Sequence, residues 1–221
     1  MTRLLLLFIL TSCAADQSVK PGINDSYLSQ PSVATWRGRF EVESREIWTD
    51  RERIVDAVGL FRGADVADIG AGTGFIARMF ADRVGDLGQV YAVDLMPYFV
   101  SHIRDGAIAN GYANLVAVQC TERSVELPAN SVDIVFTCDT YHHFEYPSDS
   151  LASIWRALRP GGRLVVVDFI RIPGVSRPFV LDHVRAGEEV VTREIQSAGF
   201  EKVGEDRFLQ ENYLLHFRKR L

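Results

Sequence analysis

The sequence has few of the residues that would indicate a disulfide-rich, zinc-stabilised or nucleic-acid-binding protein. Three cysteines among 221 residues cannot supply a disulfide framework. The five histidines are scattered except for His142-His143, and no Cys or His group has metal-ligand spacing, which argues against a structural zinc site. The 24 basic residues are outnumbered by 29 acidic ones, for a net charge of -5. A duplex-binding surface needs clustered cations, so we expect no nucleic-acid partner.

The apolar run at the start of the chain, residues 4–10, is too short to span a bilayer as a helix. It follows Met-Thr-Arg and leads into Leu10-Thr11-Ser12-Cys13. This order resembles the leader and lipobox of bacterial lipoproteins. The resemblance implies a periplasmic protein anchored to the membrane through a lipid on Cys13. The alternative is a frayed apolar terminus or a misplaced start codon, and then a cytoplasmic protein.

The remaining chain alternates short apolar runs with amphipathic stretches. Apolar runs predict strands at 65–69, 89–93, 115–119, 132–137 and 164–169. Helical spacing of apolar residues predicts helices at 43–58, 73–84, 97–110, 148–158 and 188–198. Strands that are apolar on both faces and alternate with helices predict a parallel, doubly wound α/β sheet. Two further strands, at 200–208 and 213–217, predict a C-terminal antiparallel hairpin.

A glycine-rich loop follows the first predicted strand, in the sequence Asp68-Ile69-Gly70-Ala71-Gly72-Thr73-Gly74-Phe75. Glycines permit tight turns and close approach of the backbone to a ligand, and the next helix presents unpaired N–H groups. The spacing departs from the G-x-G-x-x-G of dinucleotide-binding proteins, and no lysine follows as in a P-loop. An NAD-dependent oxidoreductase is therefore disfavoured. A plain glycine-rich turn is the alternative.

Polar residues follow the later strands as well. Asp94 ends the second strand, about 20 residues beyond the loop, where a carboxylate can accept hydrogen bonds from ribose hydroxyls. Thr121-Glu122 follows the third strand, ahead of Leu127-Pro128. The fourth strand, in Asn130-Ser131-Val132-Asp133, leads into the polar segment 137–144, and a predicted Pro160-Gly161-Gly162 turn precedes the fifth.

These motifs, in this order, resemble those of class I S-adenosylmethionine-dependent methyltransferases, in the group that includes ubiquinone/menaquinone C-methyltransferases and other small-molecule enzymes. The resemblance covers about residues 40 to 218. It implies a Rossmann-like, mostly parallel seven-stranded sheet and S-adenosylmethionine as cofactor. It implies a cofactor site formed by Asp68, Gly70, Ala71, Gly72, Thr73, Gly74, Asp94, Leu95, Thr121, Glu122 and Cys138. The family usually has an Asp ahead of Leu-Pro, so the adenine contact is open between Glu122 and Thr121.

The segment after the fourth strand is where the acceptor is expected. Methyl transfer needs mainly positioning and exclusion of water, and a base only if the acceptor loses a proton. His142 and His143 are candidate bases because their ordinary pKa lies near neutrality, with an ordering of the loop as the alternative role. Asp139 and Tyr141 are secondary candidates for acceptor binding. Cys120 and Cys138, at strand ends near the pocket, are expected to be buried structural thiols.

Three divisions of the chain follow from this interpretation. Residues 1–20 are the leader and tether, 21–60 an N-terminal arm and helix that cover the site, and 61–221 the methyltransferase domain. The stretch from Ala15 to about Trp36 is predicted to be irregular. Arg45 would bind the cofactor carboxylate or, as the preferred alternative, a neighbouring glutamate.

The insertion 170–185 is either a substrate lid or, preferably, a solvated loop, and its cations are Arg171, Arg177, His183 and Arg185. The predicted function is methyl transfer to a small-molecule or lipid-like acceptor, without a metal ion. The alternative is an exported binding or scaffold protein that keeps the fold without turnover.

Overall fold

A seven-stranded sheet lies at the centre of the chain in a computed structural model that describes residues 17–29 and 32–220. The strands are β1 (Asp65–Ile69), β2 (Gln89–Asp94), β3 (Leu115–Gln119), β4 (Val132–Cys138), β5 (Leu158–Phe169), β6 (Phe200–Asp206) and β7 (Asn212–Lys219). The helices are α1 (Asp25–Ser29), α2 (Val33–Phe40), α3 (Glu46–Thr49), α4 (Arg51–Val58), α5 (Phe75–Val84), α6 (Pro97–Ala109), α7 (Pro147–Ala157), α8 (Pro178–His183) and α9 (Glu188–Ser197). A short 3-10 helix spans Tyr141–His143. The predicted Cys13 anchor lies outside the described residues.

The strand order is β3-β2-β1-β4-β5-β7-β6. β1 to β5 are parallel, and β7 pairs antiparallel with both β5 and β6. The predicted Rossmann-like sheet with its C-terminal hairpin is therefore confirmed. The chain winds outward from β1 in one direction through β2 and β3, then returns to β4 on the other side. Such a switch point leaves a crevice at the carboxyl ends of the strands, where ligands bind in open α/β sheets.

Two hydrophobic cores lie on opposite faces of the sheet. One packs α4, α5 and α6 against it, and the other packs α7 and α9. Successive strand residues point to opposite faces, so Val66 enters the first core and Ala67 the second. This explains why the parallel strands are apolar throughout. The two cores hold the strand ends at fixed positions beneath the crevice.

Several element boundaries differ from those predicted. The helix expected over 43–58 is two helices, α3 and α4, which meet at Asp50. α5 begins at Phe75 because Gly74, with φ of +73°, is still in the left-handed region. β5 begins at Leu158 rather than 164, and the predicted Pro160-Gly161-Gly162 turn lies within the strand, where its register against β4 is irregular.

The segment predicted as an irregular arm contains α1 and α2. The Ser32 hydroxyl accepts a hydrogen bond from the Thr35 backbone N–H and so caps the start of α2. Trp36 on α2 is buried. Ahead of α1, the Val19 N–H donates to the Glu145 carbonyl, which ties the described end of the predicted tether to the domain. In the described parts of the chain, every helix is too short or too polar to cross a membrane.

Candidate active site

A cavity of about 580 Å³ opens at the carboxyl ends of β1, β2 and β4, within the range of small-molecule sites. Three groups of residues line it. We call the first the glycine-loop side, which comprises Asp68, Gly70, Ala71, Gly72, Thr73, Asp94, Leu95, Met96, Thr121 and Glu122. We call the second the histidine side, which comprises Asp139, His142, His143, Phe169, Arg177, Phe179 and His183. The N-terminal arm contributes Asn24, Tyr27, Trp36, Arg39, Phe40 and Arg45.

The loop after β1 depends on glycine at Gly70. Its φ is +76°, and a Cβ there would come within 2.3 Å of the Thr140 side chain. The N–H groups of Gly70 and Ala71 both donate to the Val93 carbonyl, at 2.8 and 3.1 Å, which fixes the loop to β2. Gly74 is the exception among the predicted cofactor residues. It does not line the cavity, because its Cα faces Ile103, so its role is to start α5.

Asp94 links the ends of β2 and the glycine loop. One carboxylate oxygen accepts from the Gly72 N–H and the other from the Met96 N–H, both at 2.8 Å. Burial raises the pKa of Asp94 to about 6, although these backbone N–H groups oppose the rise. Each oxygen keeps a further lone pair, so the carboxylate can still accept hydrogen bonds from a ligand.

Asp68 is a second buried carboxylate on the same side, with 3% of its surface exposed. Burial and the nearby charge of Asp94 raise its pKa to about 7. The buried Thr73 hydroxyl, also in the cavity lining, has no hydrogen-bond partner within the described residues. Two desolvated carboxylates and an unpaired hydroxyl favour a ligand with positive charge and hydrogen-bonding groups. S-adenosylmethionine has both, since it carries an ammonium, a sulfonium and ribose hydroxyls.

The remaining predicted cofactor residues, Leu95, Thr121, Glu122 and Cys138, also line the cavity. Thr121 and Glu122 both do so, and the adenine contact therefore stays open between them. Burial raises the pKa of the Cys120 thiol to about 12 and that of Cys138 well above its ordinary range. Both are half-buried lining residues. Their thiols stay protonated at neutral pH and are poor nucleophiles.

His142 is held by a carboxylate behind it. Its Nδ1 lies 2.7 Å from Oδ1 of Asp168, and the exposed fractions of the two side chains are 2% and 1%. The Asp168 carboxylate also accepts from the backbone N–H groups of His142, at 3.0 Å, and Phe169, at 2.8 Å. An ionised carboxylate can only accept, so the geometry assigns a proton to Nδ1, and in the neutral imidazole the lone pair is then on Nε2.

His143 is fixed in the same tautomer by Asn24. The Asn24 amide nitrogen donates to the His143 carbonyl at 3.2 Å, which leaves the amide oxygen 3.1 Å from Nδ1 of the ring. Its Nε2 lies 3.3 Å from Nε2 of His183. Burial lowers the pKa of His143 well below its ordinary value and that of His183 to about 4. The sequence missed this cluster because α8 brings His183 to the site from 40 residues further along the chain.

The two secondary candidates have different surroundings. Asp139 lines the cavity, forms an ion pair with Arg45 and accepts a hydrogen bond from the Asn212 amide at 2.6 Å. The preference for a neighbouring glutamate as the partner of Arg45 was wrong. Tyr141 lies outside the cavity lining, and its buried hydroxyl donates to Glu194 at 2.9 Å. The predicted contact between Tyr141 and the acceptor does not fit this geometry.

Two segments cover the cavity. In the arm, Tyr27 stacks on Trp36 with ring centroids 4.2 Å apart, and Phe40 continues the aromatic layer. The insertion 170–185 is a solvated loop only in part, since residues 172–175 are exposed, whereas α8 packs with Phe169 through buried Val180 and Val184. Of its predicted cations, Arg177 and His183 line the cavity. Arg171 instead donates to the Leu181 and Val184 carbonyls, both at 2.8 Å, and Arg185 pairs with Glu194.

Comparison with known proteins agrees with this geometry. Residues 67–166 match the methyltransferase domain family. A ubiquinone/menaquinone biosynthesis C-methyltransferase from Ectopseudomonas mendocina is 34% identical over 121 residues, which are 54% of this chain and 47% of that protein. The chain thus spans about half the length of the curated relatives it matches.

Solved structures show the same fold. A SAM-dependent methyltransferase from Aquifex aeolicus superposes with a TM-score of 0.74 at 23% identity, over 85% of this chain and 98% of that one. Phosphoethanolamine N-methyltransferase 2 from Haemonchus contortus, in complex with S-adenosyl-L-methionine, gives 0.73 at 16% identity, over 90% and 59%. At these identities the likeness shows the shared fold, and the matched domain over residues 67–166 is the methyltransferase domain.

Proposed function

We propose that this chain transfers a methyl group from S-adenosylmethionine to a small-molecule or lipid-like acceptor. The observation that carries the proposal is the pair of buried carboxylates, Asp68 and Asp94, in the lining of one cavity. Burying two ionisable acids without a cation is costly, and a cationic ligand offsets that cost. The cofactor supplies an electrophilic methyl group when it is bound.

The chain's own residues position the reactants and exclude water. In this proposal Asp94 accepts hydrogen bonds from the ribose hydroxyls, and Asp68 faces the ammonium group. Gly72 brings the backbone close to the ligand because no side chain intervenes. The aromatic layer of Tyr27, Trp36 and Phe40 covers the cavity from the arm. Held geometry and a dry site are what an in-line methyl transfer requires.

The histidine side supports an acceptor with a flat ring, phenolic or quinone-like. Phe169 and Phe179 line the cavity there beside the imidazoles. Aromatic side chains favour stacked or edge contacts with such a ring. The similarity to quinone C-methyltransferases points to the same class. For an acceptor that loses a proton, His142 and His143 remain the predicted bases, and Asp139 a predicted acceptor contact.

The test is to titrate the full chain by calorimetry with S-adenosylmethionine and S-adenosylhomocysteine. We expect micromolar binding of both. Formation of S-adenosylhomocysteine is then followed with quinol, phenol and lipid acceptors. A folded protein that binds neither ligand would overturn the proposal and favour the alternative of an exported scaffold.

The predicted leader gives a separate proposal, that Cys13 is lipidated and anchors the protein in the periplasm. It is supported by the sequence from Met1 to Cys13 alone. Mass spectrometry of the protein from a bacterial membrane fraction tests it. We expect a mature chain that begins at a diacylated Cys13 and a Cys13→Ser variant that keeps its leader. Finding unprocessed wild-type protein in the cytoplasm would reject this proposal without affecting the methyltransferase one.

A further inference from the structure

We propose that His142, His143 and His183 bind a divalent transition-metal ion at the histidine side of the cavity. Each offers one ring nitrogen, and these three nitrogens lie within 4.8 Å of one another. The residues come from the 3-10 helix after β4 and from the last position of α8. All three line the same cavity as the glycine loop.

The spacing of the nitrogens suits a metal ion. Two histidine nitrogens bound about 2.1 Å from a tetrahedral ion lie about 3.4 Å apart. Nε2 of His143 and Nε2 of His183 are 3.3 Å apart. When His142 is included, the nitrogens are separated by up to 4.8 Å. One ring would therefore have to move by on the order of 1 Å for all three to bind the same ion. His183 is only half-buried, so its side chain has room for that movement.

The surroundings of the rings orient their lone pairs. Metal-binding histidines nearly always donate their other N–H to a carboxylate or an amide or carbonyl oxygen, which fixes the ring and its tautomer. Nδ1 of His142 has the Asp168 carboxylate at 2.7 Å, and Nδ1 of His143 has the Asn24 amide oxygen at 3.1 Å. These partners occupy Nδ1 of both rings and leave Nε2 as the nitrogen available to an ion. The Asp168 carboxylate also supplies a negative charge one ring away from the proposed ion.

The charges around the cluster permit a cation. Two cations oppose it. The Lys20 ammonium is turned to the backbone carbonyls of Asp182 and His183, at 2.9 and 2.6 Å, and Arg177 is paired with Glu211 at 2.7 Å. Asp139 and Asp168 lie near His142 on the other side.

The ligand set indicates the kind of ion and its purpose. Imidazole nitrogens suit Zn²⁺, Fe²⁺, Co²⁺ or Ni²⁺, and three protein ligands leave a coordination position open. We assign that position to an oxygen of the acceptor, an assignment that rests on the proposed function. A metal ion lowers the pKa of a coordinated hydroxyl, so the acceptor would release its proton to solvent water as it binds and before the site closes. In the metal-bound site His142 and His143 are ligands of the ion, and they do not act as the predicted bases.

A metal-free arrangement is the competing interpretation. In that case Nε2–H of His183 donates directly to Nε2 of His143, and the 3.3 Å separation is an ordinary hydrogen bond. This interpretation predicts no specific affinity for a metal ion.

The experiment titrates the untagged, chelator-treated full chain with Co²⁺, followed by visible absorption, and with Zn²⁺, followed by calorimetry. We expect one ion per chain and the intense bands of four- or five-coordinate Co²⁺. His183→Gln and His143→Gln should each weaken binding at least tenfold, and Asp168→Asn by about 10- to 100-fold. The matched control is the double variant His102→Gln/His216→Gln, which changes the two other histidines of the chain and should bind as the wild type.

X-ray absorption of the Co²⁺-loaded wild type gives a second measurement that does not depend on any variant folding. We expect three imidazole nitrogens in the first shell. Absence of Co²⁺ binding by the folded chain, binding unchanged in His183→Gln, or a shell without imidazole would each overturn the proposed site. Calorimetry with S-adenosylhomocysteine on the same samples reports the cofactor site separately, so a failure of the proposed function is distinguishable from a failure of the metal site.

Discussion

The two sides of the cavity are built in different ways. On the glycine-loop side, backbone N–H groups pair with acids that are near in the sequence, and the partners Gly72 and Asp94 are 22 residues apart. On the histidine side, side chains from distant segments meet: Asn24 contacts His143 across 119 residues and His183 contacts it across 40. A site made by a local loop has a recognisable spacing in the sequence. A site made by tertiary packing does not.

The largest expected effect comes from Asp94→Ala on the glycine-loop side. The substitution would remove the two proposed hydrogen bonds from ribose hydroxyls to a carboxylate, and it leaves the Gly72 and Met96 N–H groups without their acceptor. Since a hydrogen bond to a charged group contributes about 1.5 to 3 kcal/mol, the affinity for S-adenosylhomocysteine should fall at least about 100-fold. Calorimetry measures it. The control is Asp133→Ala, which changes an acid at the end of β4 that lies away from the cavity. Wild-type affinity in Asp94→Ala would refute the ribose contact.

The next largest effect is a pH dependence of the affinity for S-adenosylmethionine, which also arises on the glycine-loop side. The pKa of Asp68 is raised to about 7, so this carboxyl is largely ionised at pH 7.5 and protonated at pH 5.5. Its ionised fraction falls roughly 20-fold over that interval, and the affinity for S-adenosylmethionine should fall with it. Binding is measured at both pH values, with Asp68→Asn as a control that should lose most of the dependence. Equal affinity at both pH values in the wild type would contradict the assignment.

The unliganded protein should show the opposite trend in stability. The folded pKa values of Asp68 and Asp94, about 7 and about 6, lie above the ordinary value of an aspartate. These groups therefore favour folding most below about pH 4, and that contribution is lost as the pH rises through 6 to 7. A cationic cofactor should reduce the loss. The pH dependence of affinity and that of stability have the same cause, because a buried acid is costly to ionise without a neighbouring cation.

The contrast between the two sides also explains what the sequence predicted. The sheet and its hairpin follow from apolar runs and glycines, and all predicted cofactor residues except Gly74 line the cavity. The helices of the arm were missed because proline, glycine and asparagine obscured the Ser32 cap. Asp168 could have been recognised from the sequence as a candidate site residue, because it is the single acid within the apolar run 164–169. Nothing in the spacing of His183 indicated its partners, because tertiary packing alone brings them together.

A smaller effect is expected from Trp36→Ala in the arm. The ring stacks on Tyr27 and on Phe40, and aromatic pairs contribute about 0.5 to 1.5 kcal/mol beyond the burial of their surface. The affinity for S-adenosylhomocysteine should therefore weaken by about fivefold if the arm covers the cofactor. Phe61→Ala, an exposed aromatic outside the cavity lining, is the matched control. Unchanged affinity in Trp36→Ala would assign the arm to the acceptor or to stability alone.

The smallest effect tests the boundary of the histidine side. Tyr141 is adjacent to His142 in the chain, yet its hydroxyl points away from the cavity to Glu194, which Arg185 also holds through two bonds at 2.9 and 2.8 Å. Tyr141→Phe should cost about 1 kcal/mol in the free energy of unfolding and leave the affinity for S-adenosylhomocysteine and the turnover unchanged. Denaturant unfolding and the methyl-transfer assay measure the two quantities. A loss of turnover with intact stability would return Tyr141 to the acceptor site and would mean that α8 and the 3-10 helix rearrange when the acceptor binds.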